Sequence, residues 1–433
     1  MIACKFGGTS LADAEQFRKV RRIVEADPRR AYVVVSAPGK RTKDDRKITD
    51  LLLLCHEMAA EGLDIAPCFQ PIRERFVGIA RELQIPLDTQ ALMDEIATAI
   101  KINPSRDFIA SRGEHITGKL FAAWIGATYI EPSECIIFRD ETSIEPDSYT
   151  RLGQRMQGPG RFVVPGFYGA DKWGKVRTFS RGGSDITGAI VAKAAKVDLY
   201  ENWTDVSGFL MADPRIVEHP KHIAEVTYRE LRELSYMGAV VLHDEAVFPV
   251  REAGIPIEIR NTNAPQEPGT RIVATRTLTE QAVTGIAGRK NFTMFQIEKT
   301  LMNRMIGFGR RVLEIFESNG VSYDHTPTGI DAMSVVVATD NLRDLADTIS
   351  EEIRRVLKPD RVETVSDLAL IATVGEGMSH RVGIAARLFT ALEQASVNVR
   401  IIDQGSSEIN IIVGIENKDY EKAIRAIYQA FVA

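Results

Sequence analysis

Short apolar runs alternate with amphipathic helical segments over the first 275 or so residues, and this alternation restricts the fold more than any other feature. Strands that alternate with helices form βαβ units, in which a mostly parallel sheet carries helices on both faces. The predicted strands are short and apolar: Ile2–Phe6, Ala31–Ala37, Ile136–Arg139, Phe162–Pro165, Val197–Tyr200 and Ile255–Arg260. Such sheets bind ligands beyond the carboxyl ends of their strands, so we expect a site where strands lead into helices.

The C-terminal third contains an internal repeat. A shift of 76 residues places Met302 on Met378, Gly307 on Gly383 and the run 333–337 on 409–413. Each copy predicts strand, helix, strand, strand, helix, which is an α+β unit. In the first copy the second of these strands is predicted at Val321–Asp324. Duplicated units of this kind often bind ligands where two of them pair, and a scaffold without a ligand is the alternative.

Composition excludes several classes of protein. With 44% hydrophobic and 26% charged residues and a net charge of −5, the chain is globular, and nucleic-acid binding is disfavoured. The sequence contains no apolar stretch long enough to predict a transmembrane helix, and its start lacks a secretory signal, so we expect a cytoplasmic protein without membrane contact. The four cysteines show no metal or disulfide spacing and are expected to be reduced thiols.

The first chemically informative junction is Lys5-Phe6-Gly7-Gly8-Thr9-Ser10, which follows a predicted strand and precedes a helix. Adjacent glycines let backbone N–H groups approach an anion, and a helix N-terminus favours negative charge. Thr9 or Ser10 could cap the helix, and Lys5 would point a cation at the same place. A tight connector with a solvated lysine is the alternative interpretation.

Four further segments carry polar groups suited to the same chemistry. Residues 180–188 (SRGGSDITG) offer an arginine, two glycines, a hydroxyl and a carboxylate before an alanine-rich helix, although Ser184 or Asp185 could simply cap that helix. Residues 204–209 (TDVSGF) and 212–215 (ADPR) follow, the latter predicting a turn. Residues 111–115 (SRGEH) are expected at the head of a helix 116–125, where Glu114 could be a plain N-terminal acid.

Together these junctions favour transfer of a phosphoryl group to an anionic small molecule. The chain has no Walker A loop, and no GxGxxG follows a strand, which disfavours a dehydrogenase. It has no HExxH motif and no carboxylate cluster with metal-site spacing, so a metal caged by protein ligands is not expected.

At these residues the chain resembles the aspartate kinases of the amino-acid kinase family. The blocks at 5–10, 111–114, 179–185, 204–209, 212–215 and 238–243 follow that family's order, and the C-terminal repeat resembles its paired ACT domains. The resemblance implies an open, mostly parallel sheet sandwiched by helices, followed by two ferredoxin-like α+β ACT domains. The expected domains are 1–275, 282–365 and 366–433, with the strands of the two ACT domains interleaved.

The resemblance also implies roles for individual residues in a MgATP-dependent phosphorylation of the L-aspartate β-carboxylate. Lys5 and Asp185 would be catalytic. Lys5 would contact the transferring phosphate, and Asp185 would orient Lys5 and the substrate. Residues expected to hold the nucleotide and its phosphates are Lys5, Gly7, Gly8, Thr9, Ser10, Thr204, Asp205 and Arg215. Residues expected to hold aspartate are Thr49, Glu114, Arg181, Gly183 and Ser184, with Glu114 at the α-ammonium and Arg181 at the α-carboxylate. Mg²⁺ would arrive with ATP, without ligands dedicated to it.

The sequence departs from the family pattern on the adenine side. Val240 replaces a lysine that many relatives use to reach ATP, Asp244 replaces a proline, and Leu210 stands where some members place a stacking tyrosine. The charged segment Lys40–Lys47 is predicted to be a solvated flexible loop, and a lid over the substrates is the alternative.

The resemblance implies feedback inhibition through the ACT domains by lysine, threonine or both. The residues that match an effector site are Met302, Gly307, Phe308, Gly309, Ser322, Tyr323, Asp324 and Thr328. Asp324 would pair with the effector's amino group, unless it merely ends a strand at the surface. Binding between ACT domains requires a homodimer, which could pair into a tetramer. Alternatives for the whole chain are a kinase acting on glutamate and an effector sensor with an inactive kinase domain.

Overall fold

The structure is a computed structural model that describes residues 1–102, 105–140, 143–180, 182–239, 242, 247–277 and 281–432. Its contacts divide the chain into two compact units. The first consists of Met1–Phe209, Ala224–Tyr228 and Val241–Arg276, and the second of Leu210–Ile223, Arg229–Val240 and Thr277–Ala433. Two segments that precede residue 275 in sequence therefore belong to the unit built mainly from the C-terminal third.

Ten strands lie among the described residues of the first unit. They are β1 (Ile2–Phe6), β2 (Arg30–Val35), β3 (Thr128–Tyr129), β4 (Phe162–Pro165), β5 (Tyr168–Ala170), β6 (Val176–Thr178), β7 (Leu199–Thr204), β8 (Glu225–Thr227), β9 (Ile257–Asn261) and β10 (Thr270–Val273). Its helices are α1 (Ala14–Ala26), α2 (Ile48–Ala60), α3 (Ala66–Leu83), α4 (Thr89–Ile102), α5 (Arg106–Ile125), α6 (Asp147–Arg155), α7 (Gly183–Ala194) and α9 (Phe248–Glu252). Helix α8 (Tyr228–Tyr236) starts at the last residue of one first-unit segment and continues in the second unit.

Eight of these strands form one sheet, in the order β3-β4-β2-β1-β7-β9-β10-β8. Every neighbouring pair is parallel except β9 and β10, so the predicted α/β fold is confirmed. One predicted strand is wrong: within Ile136–Arg139 only isolated bridges form, from Ile137 to Ala170 and from Phe138 to Ile144. Its apolar residues instead fill the core next to the β5–β6 hairpin, which a short apolar run does not distinguish from pairing in the main sheet.

Strand alternation sends the side chains of β1 to two different environments. Ile2, Cys4 and Phe6 are buried in an apolar cluster with residues of α1, α2, α3 and α5. Lys5, between Cys4 and Phe6 in the strand, points to the opposite face, where helix α7 packs and Asp185 lies in its first turn. The same five-residue strand thus supplies both core and a charged group at its carboxyl end.

Helix α5 begins ten residues earlier than the sequence analysis predicts. It runs from Arg106 to Ile125, so Glu114 is buried in the middle of the helix and is not near its N-terminus. The interpretation of Glu114 as a helix-terminal acid is therefore wrong. The part of this segment from Ile109 to His115 is buried against other elements of the unit, although it contains several polar residues, and tertiary packing outweighs local propensity there.

The second unit contains a five-stranded antiparallel sheet, ordered β12-β11-β13-β15-β14. Its strands are β11 (Gly285–Glu298), β12 (Ala332–Ala338), β13 (Arg361–Val374), β14 (Ile401–Asp403) and β15 (Asn410–Glu416). Its helices are α10 (Phe308–Ser318), α11 (Thr339–Leu342), α12 (Ala346–Leu357), α13 (Ile384–Gln394) and α14 (Tyr420–Val432). The 14-residue strands β11 and β13 pair with each other, so the two sequence copies share one sheet, which confirms the predicted α+β fold of this part.

The predicted strand Val321–Asp324 is not a strand in the structure. Asp324 N donates to Val336 O over 2.8 Å, and the next residue, His325, forms an isolated bridge with Val336. Ser322 and Tyr323 are exposed, so no buried alternation holds the segment in the sheet. The corresponding segment of the second copy, 397–400, is not a strand either, and the short strand β14 begins directly after it at Ile401.

Two side chains of helix α8 tie it to the C-terminal part of the second unit through three hydrogen bonds. The buried carboxylate of Glu230 accepts from Thr284 Oγ1 at 2.6 Å and from the backbone amide of Glu376 at 2.9 Å. Glu233 accepts from Asn410 Nδ2 at 2.6 Å. These bonds explain why a helix encoded among first-unit residues belongs to the second unit.

Among the described residues, no helix combines the length and apolar character needed to cross a membrane. All four cysteines are free and buried. The sulfur atoms of Cys55 in α2 and Cys68 in α3 lie 2.7 Å apart, a proximity that their spacing in the sequence did not indicate.

Candidate active site

The register of the sheet brings four strand ends to one edge. Phe6, the last residue of β1, pairs with Val35 on one side and Trp203 on the other, and Val35 pairs with Pro165. Because β1, β2, β4 and β7 are parallel, the segments that follow them leave the sheet at the same edge. The glycine turn after β1 therefore lies beside the segments after β2, β4 and β7.

A salt bridge joins the two junctions that the sequence analysis singled out. Lys5 Nζ, at the end of β1, lies 2.5 Å from Asp185 Oδ1 in the first turn of α7. Their side chains are 9% and 15% exposed, so the pair is largely shielded from water. The N-cap position of α7 is occupied by Gly182, and Asp185 Oδ1 faces Lys5, so the interpretation of Asp185 as a cap is wrong.

Asn202 completes this polar group, and the sequence analysis did not predict it. Its Nδ2 donates to Asp185 Oδ1 over 2.8 Å, and its Oδ1 lies 3.5 Å from Lys5 Nζ. Asn202 is a buried polar residue in the central strand β7, where apolar residues are typical. That exception was the signal available in the sequence.

The turn after β1 is held by its own neighbours. A short 3₁₀ helix occupies Gly8–Leu11, and the side chain that caps α1 is Asp13, not Thr9 or Ser10. The Gly7 amide donates to Trp203 O at 3.0 Å, so it is not free for an anion. Gly8 must be glycine because its backbone touches another segment: a Cβ there would lie 2.9 Å from Ala37 O.

The start of α7 lies against the segment that follows β4. Ser184 packs directly on the backbone of Gly166, and Thr187 Oγ1 accepts from the Phe167 amide at 3.0 Å. Gly183 is buried at the first position of the helix. Arg181, predicted to grip the substrate α-carboxylate, lies outside the described residues.

Glu114 is a buried carboxyl group at the same edge. The backbone amide of Ala37, two residues beyond β2, donates a hydrogen bond to it, and its Oε2 atom has no hydrogen-bond partner among the described residues. Burial raises the pKa of Glu114 to about 8, against the opposing effect of the hydrogen bond from Ala37. A buried carboxyl with a vacant oxygen is suited to receive a cationic group.

A buried network next to Glu114 holds α5 in place. His115 Nδ1 lies 2.9 Å from Tyr129 Oη and 3.1 Å from Glu131 Oε2, and Tyr129 donates to the same carboxylate over 2.7 Å. Burial lowers the pKa of His115, whose bond to Glu131 acts in the opposite direction. The sequence analysis did not predict this network, which fixes the helix one residue from Glu114.

Thr49 lies in the first turn of α2, whose N-terminal amide, that of Ile48, approaches Pro38 O at 3.4 Å. This contact brings the start of α2 to the segment that follows β2. The loop Lys40–Lys47 before it is solvated over most of its length, as predicted, but Asp45 is not free. Its carboxylate pairs with Arg41 at 2.9 Å and with Arg75 of α3 at 2.7 Å.

The residues expected to hold the nucleotide are divided between the two units. Thr204 ends β7 at the common edge, and its hydroxyl donates to Asp205 over 3.2 Å. Arg215 belongs to the second unit, where its exposed guanidinium pairs with Asp213. Leu210, also in the second unit, is 38% exposed. Val240 and Asp244 lie outside the described residues.

The residues expected to bind an effector lie in the second unit. Met302 and Phe308 are buried, Gly307 precedes α10, and Thr328 bonds its hydroxyl to Thr326 O. Both oxygens of Asp324 are engaged: Oδ2 accepts from the Ala338 amide at 2.9 Å and Oδ1 from the Tyr236 hydroxyl. Asp324 is thus integrated into the fold and is not merely a surface residue at a strand end. The remaining residues of this set are Gly309, Ser322 and Tyr323.

The arrangement can neutralise and orient anions. It offers a shielded lysine held by a carboxylate and an amide, and a neutral carboxyl prepared for a cation. Within the described ranges, no three His, Cys, Asp or Glu side chains gather so as to hold a metal ion.

Comparison with known proteins agrees with this geometry. The model of the amino acid kinase family matches residues 1–261, and that of the ACT domain matches residues 371–431. Aspartokinase 3 of Bacillus subtilis is 42% identical, with 100% of this chain and 99% of the relative covered. Aspartokinase 1 of Arabidopsis thaliana is 31% identical over 99% of this chain and 80% of its own length.

Solved structures lead to the same family. Aspartate kinase from Clostridium acetobutylicum superposes with a TM-score of 0.97 at 48% identity, with both chains covered in full. Aspartokinase III of Escherichia coli, solved with aspartate and ADP, superposes with a TM-score of 0.75 at 26% identity, again over both complete chains. The chain belongs to the amino acid kinase family and, within it, to the aspartokinases.

Proposed function

We propose that this enzyme transfers the γ-phosphoryl group of MgATP to the β-carboxylate of L-aspartate and forms 4-phospho-L-aspartate. The observation that carries the proposal is the contact between Lys5 and Asp185, which joins the turn after β1 to the start of α7 at one edge of the sheet. A related enzyme of this family has been solved with aspartate and ADP.

The chemistry requires charge neutralisation more than proton transfer. A β-carboxylate has a reference pKa of about 4, so it is already ionised at neutral pH and needs no general base. Two unit charges of the same sign about 4 Å apart repel by roughly 4 kcal/mol at an effective dielectric constant near 20. Lys5 reduces this repulsion at the transferring phosphate, and Asp185 with Asn202 fixes the position of its ammonium group.

The aspartate pocket is proposed to lie between Thr49, Glu114 and the first turn of α7. Glu114 would ionise on binding and pair with the α-ammonium, which satisfies its vacant oxygen. Arg181 would bind the α-carboxylate as a two-pronged donor, with Gly183 and Ser184 beside it. These assignments give the α-ammonium and the α-carboxylate of the substrate each a partner of opposite sign.

The nucleotide is proposed to bind at the turn 7–10, with Thr204 and Asp205 as further contacts. Mg²⁺, bound to the phosphate oxygens, would neutralise charge that develops during transfer.

The second unit is proposed to bind an amino-acid effector, lysine or threonine, with Asp324 at its amino group. Escherichia coli aspartokinase III has been solved with lysine and aspartate in a T-state. We propose the divisions 1–275, 282–365 and 366–433 as the kinase and two ACT domains, and a cytoplasmic homodimer that could form tetramers. The pathway served would be the synthesis of lysine, threonine, methionine and diaminopimelate.

A substrate panel tests the proposed reaction. The purified protein is incubated with MgATP and L-aspartate, D-aspartate, L-glutamate or L-asparagine, and ADP release is followed by a coupled assay. Hydroxylamine traps an acyl phosphate as a hydroxamate, which mass spectrometry identifies. We expect ADP release and β-aspartyl hydroxamate with L-aspartate.

Two results would contradict the proposal. Hydroxamate formed from L-glutamate in preference to L-aspartate would assign a different acceptor. Absence of ADP release with every amino acid, from a protein that binds lysine or threonine, would favour an effector sensor over an enzyme.

A further inference from the structure

Three segments around the glycine turn meet at one buried arginine, Arg75, in the middle of α3. Its side chain is 6% exposed. Nη1 donates to the carbonyl oxygens of Ala12 at 3.3 Å and Gly39 at 3.2 Å, and Nη2 donates to both carboxylate oxygens of Asp45, at 3.0 and 2.7 Å. One guanidinium group therefore links α3 to three separate parts of the chain, at Ala12, Gly39 and Asp45.

Two of these parts enclose the turn that is proposed to bind phosphate. Ala12 directly follows the 3₁₀ helix Gly8–Leu11. Gly39 lies on the other side, where its amide donates to Gly8 O at 2.7 Å, and a Cβ on Gly39 would fall 2.7 Å from the Gly8 carbonyl carbon. Because Arg75 binds Ala12 and Gly39 together, it fixes the distance between the two sides of the turn.

The third part is the loop Lys40–Lys47, which carries five basic and two acidic residues. Its net positive charge lies directly after Gly39. Asp45 connects the loop to α3 through its bond to Arg75. The hydrogen bonds from Arg41 and the charge of Arg75 hold the pKa of Asp45 well below its ordinary value, so its carboxylate stays ionised. Arg41 is about half exposed, and an exposed pair contributes little, so the buried bond to Arg75 is the stronger attachment.

We propose that Arg75 is a positioning residue for phosphoryl transfer, and that with Asp45 it forms a latch that holds the loop 40–47 against the turn 7–10. It contacts no substrate and acts through the turn and the loop. This inference rests on the proposed function, because it assigns the turn to the phosphates of the nucleotide. The loop 40–47, predicted to be flexible, is in this proposal anchored at a single point, Asp45.

Kinetics of four variants test the latch. Arg75→Gln removes the charge, and Asp45→Asn weakens the loop attachment while the bonds to Ala12 and Gly39 remain. Arg73→Gln is the matched control, because Arg73 lies in the same helix and pairs with Asp94 at 2.7 Å, away from these contacts. We expect R75Q to lower kcat/KM for MgATP at least tenfold, D45N to lower it less, and R73Q to leave it within about twofold. R75Q/D45N should lose no more than R75Q alone, because the two residues act as one unit.

Hydrogen exchange provides a measurement that does not depend on catalysis. R75Q should speed the exchange of amides in 7–12 and 39–47, and R73Q should not. Methylguanidinium added to Arg75→Ala should recover part of the lost kcat/KM, which a general loss of stability would not allow.

The outcomes separate the inference from the proposed function. A folded R75Q with wild-type kcat/KM, an additive double variant, or unchanged exchange in both segments would overturn the latch. A wild-type protein without aspartate kinase activity would overturn the proposed function, and the exchange data would still decide whether Arg75 orders the turn. If R75Q does not fold, D45N carries the test alone, and wild-type kinetics with wild-type exchange in that variant would overturn the latch.

Discussion

The vacant, buried carboxyl of Glu114 makes a quantitative prediction about pH. Burial raises the pKa of Glu114 to about 8, so the group is neutral below that pH and ionised above it. If the ionised form binds the α-ammonium of aspartate, the substrate competes with a proton for the same carboxylate. Aspartate affinity must then rise as the pH rises toward 8 and fall as the pH drops below it.

The size of the effect follows from the pKa alone. Protonation weakens apparent affinity about twofold at pH 8, about tenfold at pH 7 and about a hundredfold at pH 6, for a group that must be ionised to bind. Between pH 8 and pH 6 the loss is about fiftyfold, or about 2.3 kcal/mol. Binding at pH 7 should also release about 0.9 proton per aspartate.

The assay is KM for aspartate, measured by coupled ADP release from pH 6 to pH 9 with saturating MgATP. Isothermal titration in buffers of different ionisation enthalpy gives the number of protons released. Glu114→Gln is the control: its affinity should be low at every pH, without the slope and without proton release. A wild-type KM that is constant between pH 6 and pH 8, or the same slope in E114Q, would refute the reasoning.

Four further predictions concern stability, packing, the charge pair and regulation. E114Q should raise the thermal midpoint of the unliganded protein more at pH 8 than at pH 5. The pKa of Glu114 is raised from 4.5 to about 8, so ionising this group costs stability as the pH rises through that range, up to about 4 kcal/mol near pH 8. Equal shifts of the midpoint at both pH values would contradict this. Gly188→Ala should lower the free energy of unfolding by about 1–3 kcal/mol in urea titrations and should also lower kcat. The added Cβ would lie 2.3 Å from the Tyr200 hydroxyl and displace α7. An unchanged urea midpoint would count against this packing. Asp185→Asn should lower kcat about a hundredfold with a near-normal KM for aspartate, and a kcat within threefold of wild type would remove it from the catalytic group. Asp324→Ala should abolish heat of lysine or threonine binding and their inhibition while kcat is retained, and inhibition that persists would place the effector elsewhere.

The parts of the site that the sequence predicted are those encoded locally. The strand Ile2–Phe6 is found with the predicted bounds, and alternation within it puts Lys5 on the face opposite the apolar cluster. The glycine turn and the start of α7 lie at strand-to-helix junctions, which a parallel sheet brings to one edge. Their contact through Asp185 follows from topology, and a sequence can indicate topology through its pattern of elements.

The parts that could not be predicted depend on contacts between distant residues. Arg75 and Asp45 are 30 positions apart, and no local pattern distinguishes their bond from solvated charges. Asn202 reads as a polar interruption of a strand until α7 is placed beside it. Helix α8 belongs to the second unit because of bonds to Thr284, Glu376 and Asn410, all far along the chain.

The most direct test of the account is the kcat of Lys5→Ala in the aspartyl hydroxamate assay, compared with Lys193→Ala, which removes a lysine of α7 paired with Glu252. Circular dichroism first establishes that both variants are folded. The account predicts that K5A loses at least about a hundredfold in kcat and that K193A stays near wild type. A folded K5A that turns over at a rate close to wild type would contradict the claim that this lysine neutralises the transferring phosphate.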